Sequence, residues 1–312
     1  MRLILGITLL TLGYQSALAQ LVTESFGSGA NAFTMEFVTI GNPGNVADTT
    51  GSPNPAGAVS YTYNIGKYEV SRDMINKANT AGSLGITLED MTNYGGNGVN
   101  RPSAGISWNE AATYVNWLNT STGGTAAYKF VGGTFQLWSA GDAGYNASNM
   151  FRNSLAKYWL PSSNEWYKAA YGNLNGNWNN YATGSDSAPT AVASGTAANT
   201  AVYSGQSGPA DITSAGGLSP YGTMGQGGNM WEWNETAFDG SNNTAEEGRE
   251  LRGGSWETLV VSLMASKRTN LDPASQNSDH GLGFRVASVP EPSALSLLAI
   301  GLGGLAILRR RK

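Results

Sequence analysis

The stretch Gly228-Asn229-Met230-Trp231-Glu232-Trp233 lies in the last third of this chain and places one glutamate between two tryptophans after a pair of glycines. Two further segments follow it in order, Arg252-Gly253-Gly254-Ser255-Trp256 and Gly283-Phe284-Arg285-Val286. Their apolar and aromatic content predicts strands over residues 249–256 and 283–288. No single segment specifies a fold, but the order in which they occur along the chain does.

Three helices are predicted upstream from their N-terminal signals. Ser71 is the expected N-cap of a short helix over residues 72–78. Ser107 with Glu110, and Ser162 with Glu165, are each spaced as a capping box. Apolar residues at helical spacing follow both boxes and predict one buried face for each helix: Trp108, Ala111, Ala112, Val115 and Leu118 for the first, and Trp166, Ala169 and Ala170 for the second.

The remaining body of the chain is rich in strands and loops. Residues 33–40 alternate apolar and polar side chains and predict a strand, and residues 61–70 predict another, with a turn or bulge at residues 64–66. Residues 172–228 show no helical period, so we expect aromatic packing, calcium or both to hold this long loop. No linker divides residues 33–288, which predicts one domain.

Composition excludes several classes of protein. The chain has 312 residues, of which only 13% are charged, and its formal net charge is −4, so it is not a basic nucleic-acid-binding protein. It contains no cysteine, which removes disulfides, thiolate nucleophiles and cysteine-bound metal sites. Its single histidine, His280, cannot form a multi-histidine metal centre.

The two ends of the chain carry targeting signals. Residues 1–19 have a positive start, an apolar run and a small-residue cleavage site, which predicts a secretory signal peptide; the alternative is a buried N-terminal helix. Residues 20–32 show little pattern and predict a flexible lead-in. At the other end, Pro290-Glu291-Pro292 precedes an uncharged segment over residues 293–308 and a basic cluster over 309–312. That segment is marginally long enough to cross a membrane.

This C-terminal pattern over residues 289–312 closely resembles the PEP-CTERM sorting signal. The resemblance implies processing by an exosortase-type enzyme in a Gram-negative bacterium. It also implies transient membrane anchorage and then delivery to the periplasm, the outer envelope or the extracellular matrix. The alternative is an ordinary membrane anchor.

The ordered segments of the body resemble the formylglycine-generating enzyme, or sulfatase-modifying factor, family. Besides the three C-terminal segments, the resemblance rests on Tyr68-Glu69-Val70-Ser71, on residues 105–112 with Trp117-Leu118-Asn119, and on residues 160–166. It covers residues 33–288. It implies an α+β fold, a variant of the C-type lectin fold, which is loop-rich with a small antiparallel core and flanking helices.

The chain departs from this family where the family's oxidation chemistry resides. The resemblance implies two copper-binding cysteines shortly after the Gly-Gly-Ser-aromatic segment, but residues 257–264 contain no thiol. Without thiolates there is no soft ligand set for copper. Relatives that use non-haem iron need several histidines, and this chain has one. We therefore expect neither copper nor iron and assign no catalytic residue.

Calcium needs only oxygen ligands, so the family's calcium sites are retained as a prediction. The resemblance places the carbonyls of Gly228 and Met230 and the carboxylate of Glu232 in one site, although Gly225 offers no side chain where the family has a ligand. It places Asn199 and the Thr200 carbonyl in a second site, for which no acidic partner is evident. The alternative for Glu232 is a buried carboxylate paired with Arg252 or Arg285.

Two functions follow from the sequence. The first is an exported, non-catalytic binding or structural component of the envelope or matrix, whose partner would be exopolysaccharide or another matrix protein. The second is an enzyme of unassigned reaction type on the same scaffold, since a fold does not fix a function. Neither involves nucleic acid.

Overall fold

A computed structural model of the protein describes residues 20–275 and 280–290. The predicted signal peptide and the apolar segment 293–308 lie outside these residues. Within the described ranges, no helix combines the length and the apolar character needed to cross a membrane. The strands are β1 (Leu21–Phe26), β2 (Phe33–Ile40), β3 (Tyr63–Gly66), β4 (Lys129–Val131), β5 (Thr134–Gln136), β6 (Tyr158–Trp159), β7 (Thr190–Ala191), β8 (Thr200–Ala201), β9 (Trp231–Ala237), β10 (Arg249–Arg252), β11 (Thr269–Leu271), β12 (Leu282–Gly283) and β13 (Ala287–Ser288).

Three α-helices flank these strands: α1 (Arg72–Gly82), α2 (Trp108–Ser121) and α3 (Ser163–Tyr171). Both predicted capping boxes form, at Ser107 with Glu110 and at Ser162 with Glu165. The apolar faces of α2 and α3 are buried as the spacing predicts. Ser71 caps α1 by accepting a hydrogen bond from the Met74 amide, but α1 runs to Gly82 rather than to residue 78. The sequence placed the end of α1 too early because residues 79–82 are small or polar and do not continue the apolar helical spacing.

The larger sheet has five antiparallel strands in the order β1-β2-β3-β13-β6. Its first strand corrects the prediction of a flexible lead-in over residues 20–32, because β1 pairs with β2 along its whole length and a short 3-10 helix, Gly29–Asn31, joins them. Val22, Glu24 and Phe26 face inward on β1. The charged Glu24 in this alternation obscured the strand in the sequence. It forms an ion pair with Lys157 at 2.8 Å.

The turn or bulge predicted at residues 64–66 is also wrong, because these residues lie within β3 and pair with β2 in an unbroken register. The Asn64 side chain is buried and its Oδ1 accepts a hydrogen bond from the Thr39 hydroxyl at 2.8 Å. Asparagine and glycine favour turns on local grounds. Here a cross-strand hydrogen bond pairs the Asn64 oxygen inside a sheet, while its Nδ2 is buried without a partner among the described residues.

The smaller sheet has the order β11-β10-β9-β12, and β12 is parallel to β9. The strand predicted over residues 249–256 ends at Arg252, since Gly253 and Gly254 follow with φ of 95° and 75°. The strand predicted over residues 283–288 is split into β12 and β13, which belong to different sheets. Phe284, Arg285 and Val286 therefore connect the two sheets.

One large apolar core joins the inner face of the five-stranded sheet to α1, α2 and the smaller sheet. The long segment over residues 172–228 contributes buried side chains of its own. Trp178 packs edge-on against Tyr167 of α3, with ring centroids 5.4 Å apart, and the buried Tyr203 hydroxyl donates to the Pro189 carbonyl at 2.6 Å. Aromatic packing thus fastens this segment to the body, which is one of the two means that the sequence predicted.

Candidate functional site

Glu232 on β9 is fully buried and is held by two donors. Its Oε1 accepts a hydrogen bond from Arg285 Nη2, and its Oε2 accepts one from Arg285 Nε, both at 2.6 Å. The indole Nε1 of Trp166 donates to the same Oε2 at 2.7 Å. Of the two arginines considered from the sequence, Arg285 pairs with Glu232, whereas Arg252 pairs with Glu250.

The guanidinium of Arg285 is fully used by the protein. Besides the two bonds to Glu232, Nη1 donates to the carbonyls of Gly66 at 2.8 Å and Lys67 at 3.3 Å, and Nη2 donates to the carbonyl of Met224 at 2.8 Å. A guanidinium has five N–H donors. All five are occupied, so this buried cation is fixed by both sheets and by the loop before β9.

A second buried carboxylate, Glu69, lies beside this pair. Its Oε2 accepts a hydrogen bond from Asn229 Nδ2 at 2.5 Å, while its Oε1 is buried and has no partner among the described residues. Burial first, and the negative charge of Glu232 second, raise the pKa of Glu69 well above its usual value, and Arg285 offsets only part of this. Glu69 is therefore more readily protonated than an exposed glutamate.

The residues predicted to hold the first calcium ion do not fit that ion. Glu232 already has its charge balanced by Arg285, and a divalent cation there would lie against the guanidinium. A side chain at position 225 would have its Cβ 3.2 Å from the carboxylate of Glu69, so Glu69 fills the space where the family's missing ligand would project. Gly228 is closely packed on Val202, and the Met230 side chain is buried.

The second predicted site fits calcium no better. Asn199 has a left-handed backbone, with φ of 53°, and its Oδ1 accepts a hydrogen bond from the Thr183 hydroxyl at 3.0 Å. The Thr200 carbonyl accepts from the Gly217 amide at 2.9 Å. Both oxygens therefore serve the loop structure. Across residues 20–275 and 280–290, no three His, Cys, Asp or Glu side chains converge as a metal site.

The stretch that would carry the family's cysteines lies at the surface. Residues 260–263 form a 3-10 helix, and Leu259 beside it is 68% exposed. Leu263 is buried and packs with Tyr181 and Tyr203. Besides aliphatic groups, this stretch carries the Glu257 carboxylate, the hydroxyls of Thr258 and Ser262 and the Met264 thioether, but no thiol.

A polar cleft of about 340 Å³ opens at the start of α3. Its walls come from α3, β9, β10 and four loops, and two buried carboxylates, Glu235 and Glu250, lie in them. Burial raises the pKa of Glu235, although the nearby Arg152 opposes this. Arg268 reaches the cleft from the loop before β11 and donates to Glu250 Oε2 at 2.9 Å.

Sequence reasoning missed this cleft. Glu235 lies on β9 and Glu250 lies on β10, each among buried neighbours, and neither glutamate belongs to a recognisable motif. A signal was present in β9, where Glu232, Asn234 and Glu235 are more polar residues than a buried strand with two tryptophans is expected to carry. Such an excess indicates buried polar contacts but does not identify their partners.

Comparisons with known proteins agree with this architecture. The sulfatase-modifying factor enzyme 1-like domain matches residues 31–289, and the PEP-CTERM protein-sorting motif matches residues 288–312. A comparison with curated protein sequences finds no match.

Three solved structures share the fold at low sequence identity. Treponema denticola variable protein 1 superposes with a TM-score of 0.61 at 21% identity, covering 86% of this chain and 99% of its own. CarF gives a TM-score of 0.58 at 17% identity, with coverages of 82% and 99%. PvdO from Pseudomonas aeruginosa gives 0.53 at 15% identity, with coverages of 86% and 98%. At these identities the likeness concerns the fold alone.

Proposed function

Since the chain belongs to the sulfatase-modifying factor enzyme 1-like family and ends in a PEP-CTERM sorting motif, we propose that it is a non-catalytic binding or structural component of the cell envelope or extracellular matrix. The sorting motif implies export, envelope sorting and processing by exosortase-type machinery. The proposal goes further in two respects: the protein acts in the envelope or matrix of a Gram-negative bacterium, and its role there is binding or structural.

The observation that carries the non-catalytic part is the surface at residues 257–264. In the family that this chain resembles, the oxidising cysteines follow the Gly-Gly-Ser-aromatic segment. Here that position holds an exposed Leu259 and a 3-10 helix, and the whole chain has no cysteine. The family's copper-dependent oxidation of a substrate thiol uses thiolate ligands, and a chain without cysteine cannot supply them at this place.

An oxidation assay tests the absence of this activity. The purified chain is incubated with copper and a cysteine-containing peptide, and the peptide thiol and any aldehyde product are measured. We expect the thiol to disappear no faster than in a mixture without protein. Formation of formylglycine would overturn the proposal.

A localisation experiment tests the exported part. The full chain is produced in a bacterium that has exosortase-type machinery, alongside a variant with Pro290→Ala, Glu291→Ala and Pro292→Ala. We expect the natural chain to lose its C-terminal segment and to appear in the outer envelope or the medium. The variant should stay in the membrane fraction at full length. Retention of the natural chain in the cytoplasm would contradict the proposal.

An enzyme remains the second candidate because one observation favours it. A buried carboxyl with a raised pKa, such as Glu235, is the kind of group that acts as a general acid. Its partners are nevertheless those of a structural residue, since the Tyr128 hydroxyl and the Asn149 amide both donate to it. Turnover of a ligand that is lost in Glu235→Gln, with binding retained, would favour this candidate.

A further inference from the structure

The cleft at the start of α3 has walls that are fixed by hydrogen bonds. The Ser163 amide donates to Thr236 Oγ1 at 2.9 Å, which ties α3 to β9. Asn164 Oδ1 accepts from the Gly57 amide at 2.8 Å, which ties α3 to the loop containing Pro53 and Pro55. A cleft on such rigid elements keeps its shape without a ligand, as most small-ligand sites do.

The buried charges in these walls are balanced within the protein, and the exposed Asp239 is the one carboxylate of the described walls without an ion pair. Glu250 accepts from Ser163 Oγ at 2.6 Å and pairs with both Arg252 and Arg268. Glu235 lies 3.5 Å from Arg152 and accepts from an amide and a phenol. Because each buried carboxylate already has a guanidinium beside it, the cleft has no strong preference for an ion of either sign.

The cleft still offers hydrogen-bonding groups that the described part of the protein does not use. Arg268 Nη2 and Asn164 Nδ2 are donors without a protein partner there, while Asp239 Oδ2 is an acceptor and Ser148 Oγ is either. The rings of Pro53 and Pro55 add an apolar surface. Donors and acceptors side by side match hydroxyl groups, since each hydroxyl both donates and accepts.

We propose that this cleft binds a neutral, hydroxyl-rich glycan. The inference rests on the proposed binding function and gives that function a site and a ligand class. The volume of about 340 Å³ lies at the lower end of the range for small-ligand sites, about 300–1,000 Å³, and suits one or two sugar units of a longer chain. The sugar hydroxyls contact the four unused groups, and the apolar face of a ring lies on the prolines.

Binding is measured with the purified full chain and neutral oligosaccharides, namely cellotetraose, maltotetraose, mannotetraose and chitotetraose, with a uronic-acid tetramer as the anionic comparison. We expect at least one neutral oligosaccharide to bind. Its affinity should change less than about twofold when salt is raised tenfold, because screening acts only on charged partners. Binding of the uronic-acid tetramer alone, weakened by salt, would overturn the neutral ligand class.

Ser148→Tyr fills the cleft without removing a hydrogen bond of the Ser148 side chain, and Ser187→Tyr is the matched control at an exposed serine outside it. We expect Ser148→Tyr to weaken binding at least tenfold and the control to leave it unchanged. If Ser148→Tyr binds normally, the cleft is not the site, although the binding function stands. If the oligosaccharide is bound in the cleft and cleaved, the inference stands and the non-catalytic proposal fails.

Discussion

Arg285 and Glu232 form a two-point ion pair, with Nη2–Oε1 and Nε–Oε2 both 2.6 Å, and neither side chain is exposed to solvent. Arg285 lies in the connection between β12 and β13, which belong to different sheets, and Glu232 lies on β9, an inner strand of the smaller sheet. The ion pair therefore fastens this connection to the smaller sheet. The family resemblance assigned a calcium ion to Glu232. In the structure, Arg285 supplies the positive charge that balances this carboxylate.

Breaking this pair should cost much of the protein's stability. We expect Glu232→Gln to lower the free energy of unfolding by about 3–5 kcal/mol, because it leaves a buried guanidinium without its counter-charge. Urea denaturation measures the change. Arg285→Lys keeps the positive charge but loses the fork of donors, so this variant should fold and be destabilised less. If Glu232→Gln does not fold, Arg285→Lys replaces it in the measurement.

The matched control is the half-buried surface pair of Asp73 and Lys77 on α1, with Oδ2 and Nζ 2.7 Å apart. Asp73→Asn should cost less than about 0.5 kcal/mol, because water screens the pair and replaces its contacts. Equal losses for Asp73→Asn and Glu232→Gln would show that the buried pair contributes no more than a surface pair.

Calcium should not stabilise the protein. Because Arg285 balances Glu232, and because the oxygens of Asn199 and Thr200 bond within their own loop, we expect equal melting temperatures in millimolar calcium and in chelator. A resident ion at a hundred times its dissociation constant would add about 2.7 kcal/mol, or about 5–10 °C for a domain of this size. A rise of that size that is lost in Glu232→Gln would restore the calcium hypothesis.

The stability of the protein should depend on pH through Glu69. Its pKa is raised in the folded protein above the ordinary value of 4.5, so the folded state holds the proton more tightly than the unfolded state. The stabilisation is therefore complete below about pH 4.5 and is lost as the pH rises through the folded pKa, by at most about 1.4 kcal/mol per pH unit. Glu69→Gln mimics the protonated form and should flatten this slope.

Urea denaturation between pH 5 and pH 8 measures that slope. Glu246→Gln removes the same charge from an exposed position and is the matched control. If Glu69→Gln leaves the slope as steep as in the natural chain, Glu69 is not the group responsible.

The first strand should be part of the folded core rather than a lead-in. Phe26 is 2% exposed and packs on Phe33 and Tyr158, with ring centroids 5.6 Å and 5.2 Å apart. We expect Phe26→Ala to cost about 3–5 kcal/mol by the same denaturation measurement. Leu21→Ala in the same strand, where the side chain is 51% exposed, should cost less than about 0.5 kcal/mol. If Phe26→Ala lowers the free energy of unfolding as little as Leu21→Ala does, residues 20–32 are a flexible lead-in rather than part of the core.

The sequence by itself determined the features that depend on neighbours along the chain. Ser107 and Ser162 cap helices because their partners, Glu110 and Glu165, stand three residues away, and the faces of α2 and α3 follow from helical spacing. Strand β2 follows from alternation. The ordered segments were sufficient for the family and the fold class, because they carry the turns and the buried aromatic residues that the fold needs.

Only the tertiary structure decided which buried charges meet. Arg252 and Arg285 were equivalent candidates for Glu232 in the sequence, and the two sheets bring Arg285 to it from 53 positions away. The cleft likewise joins residues of α3, β9, β10 and four loops, and the charged Glu24 lies in β1 because that strand pairs with β2 and Lys157 balances its charge. A buried charge requires a partner at contact distance. Where that partner lies depends on how the chain crosses itself, which local spacing does not encode.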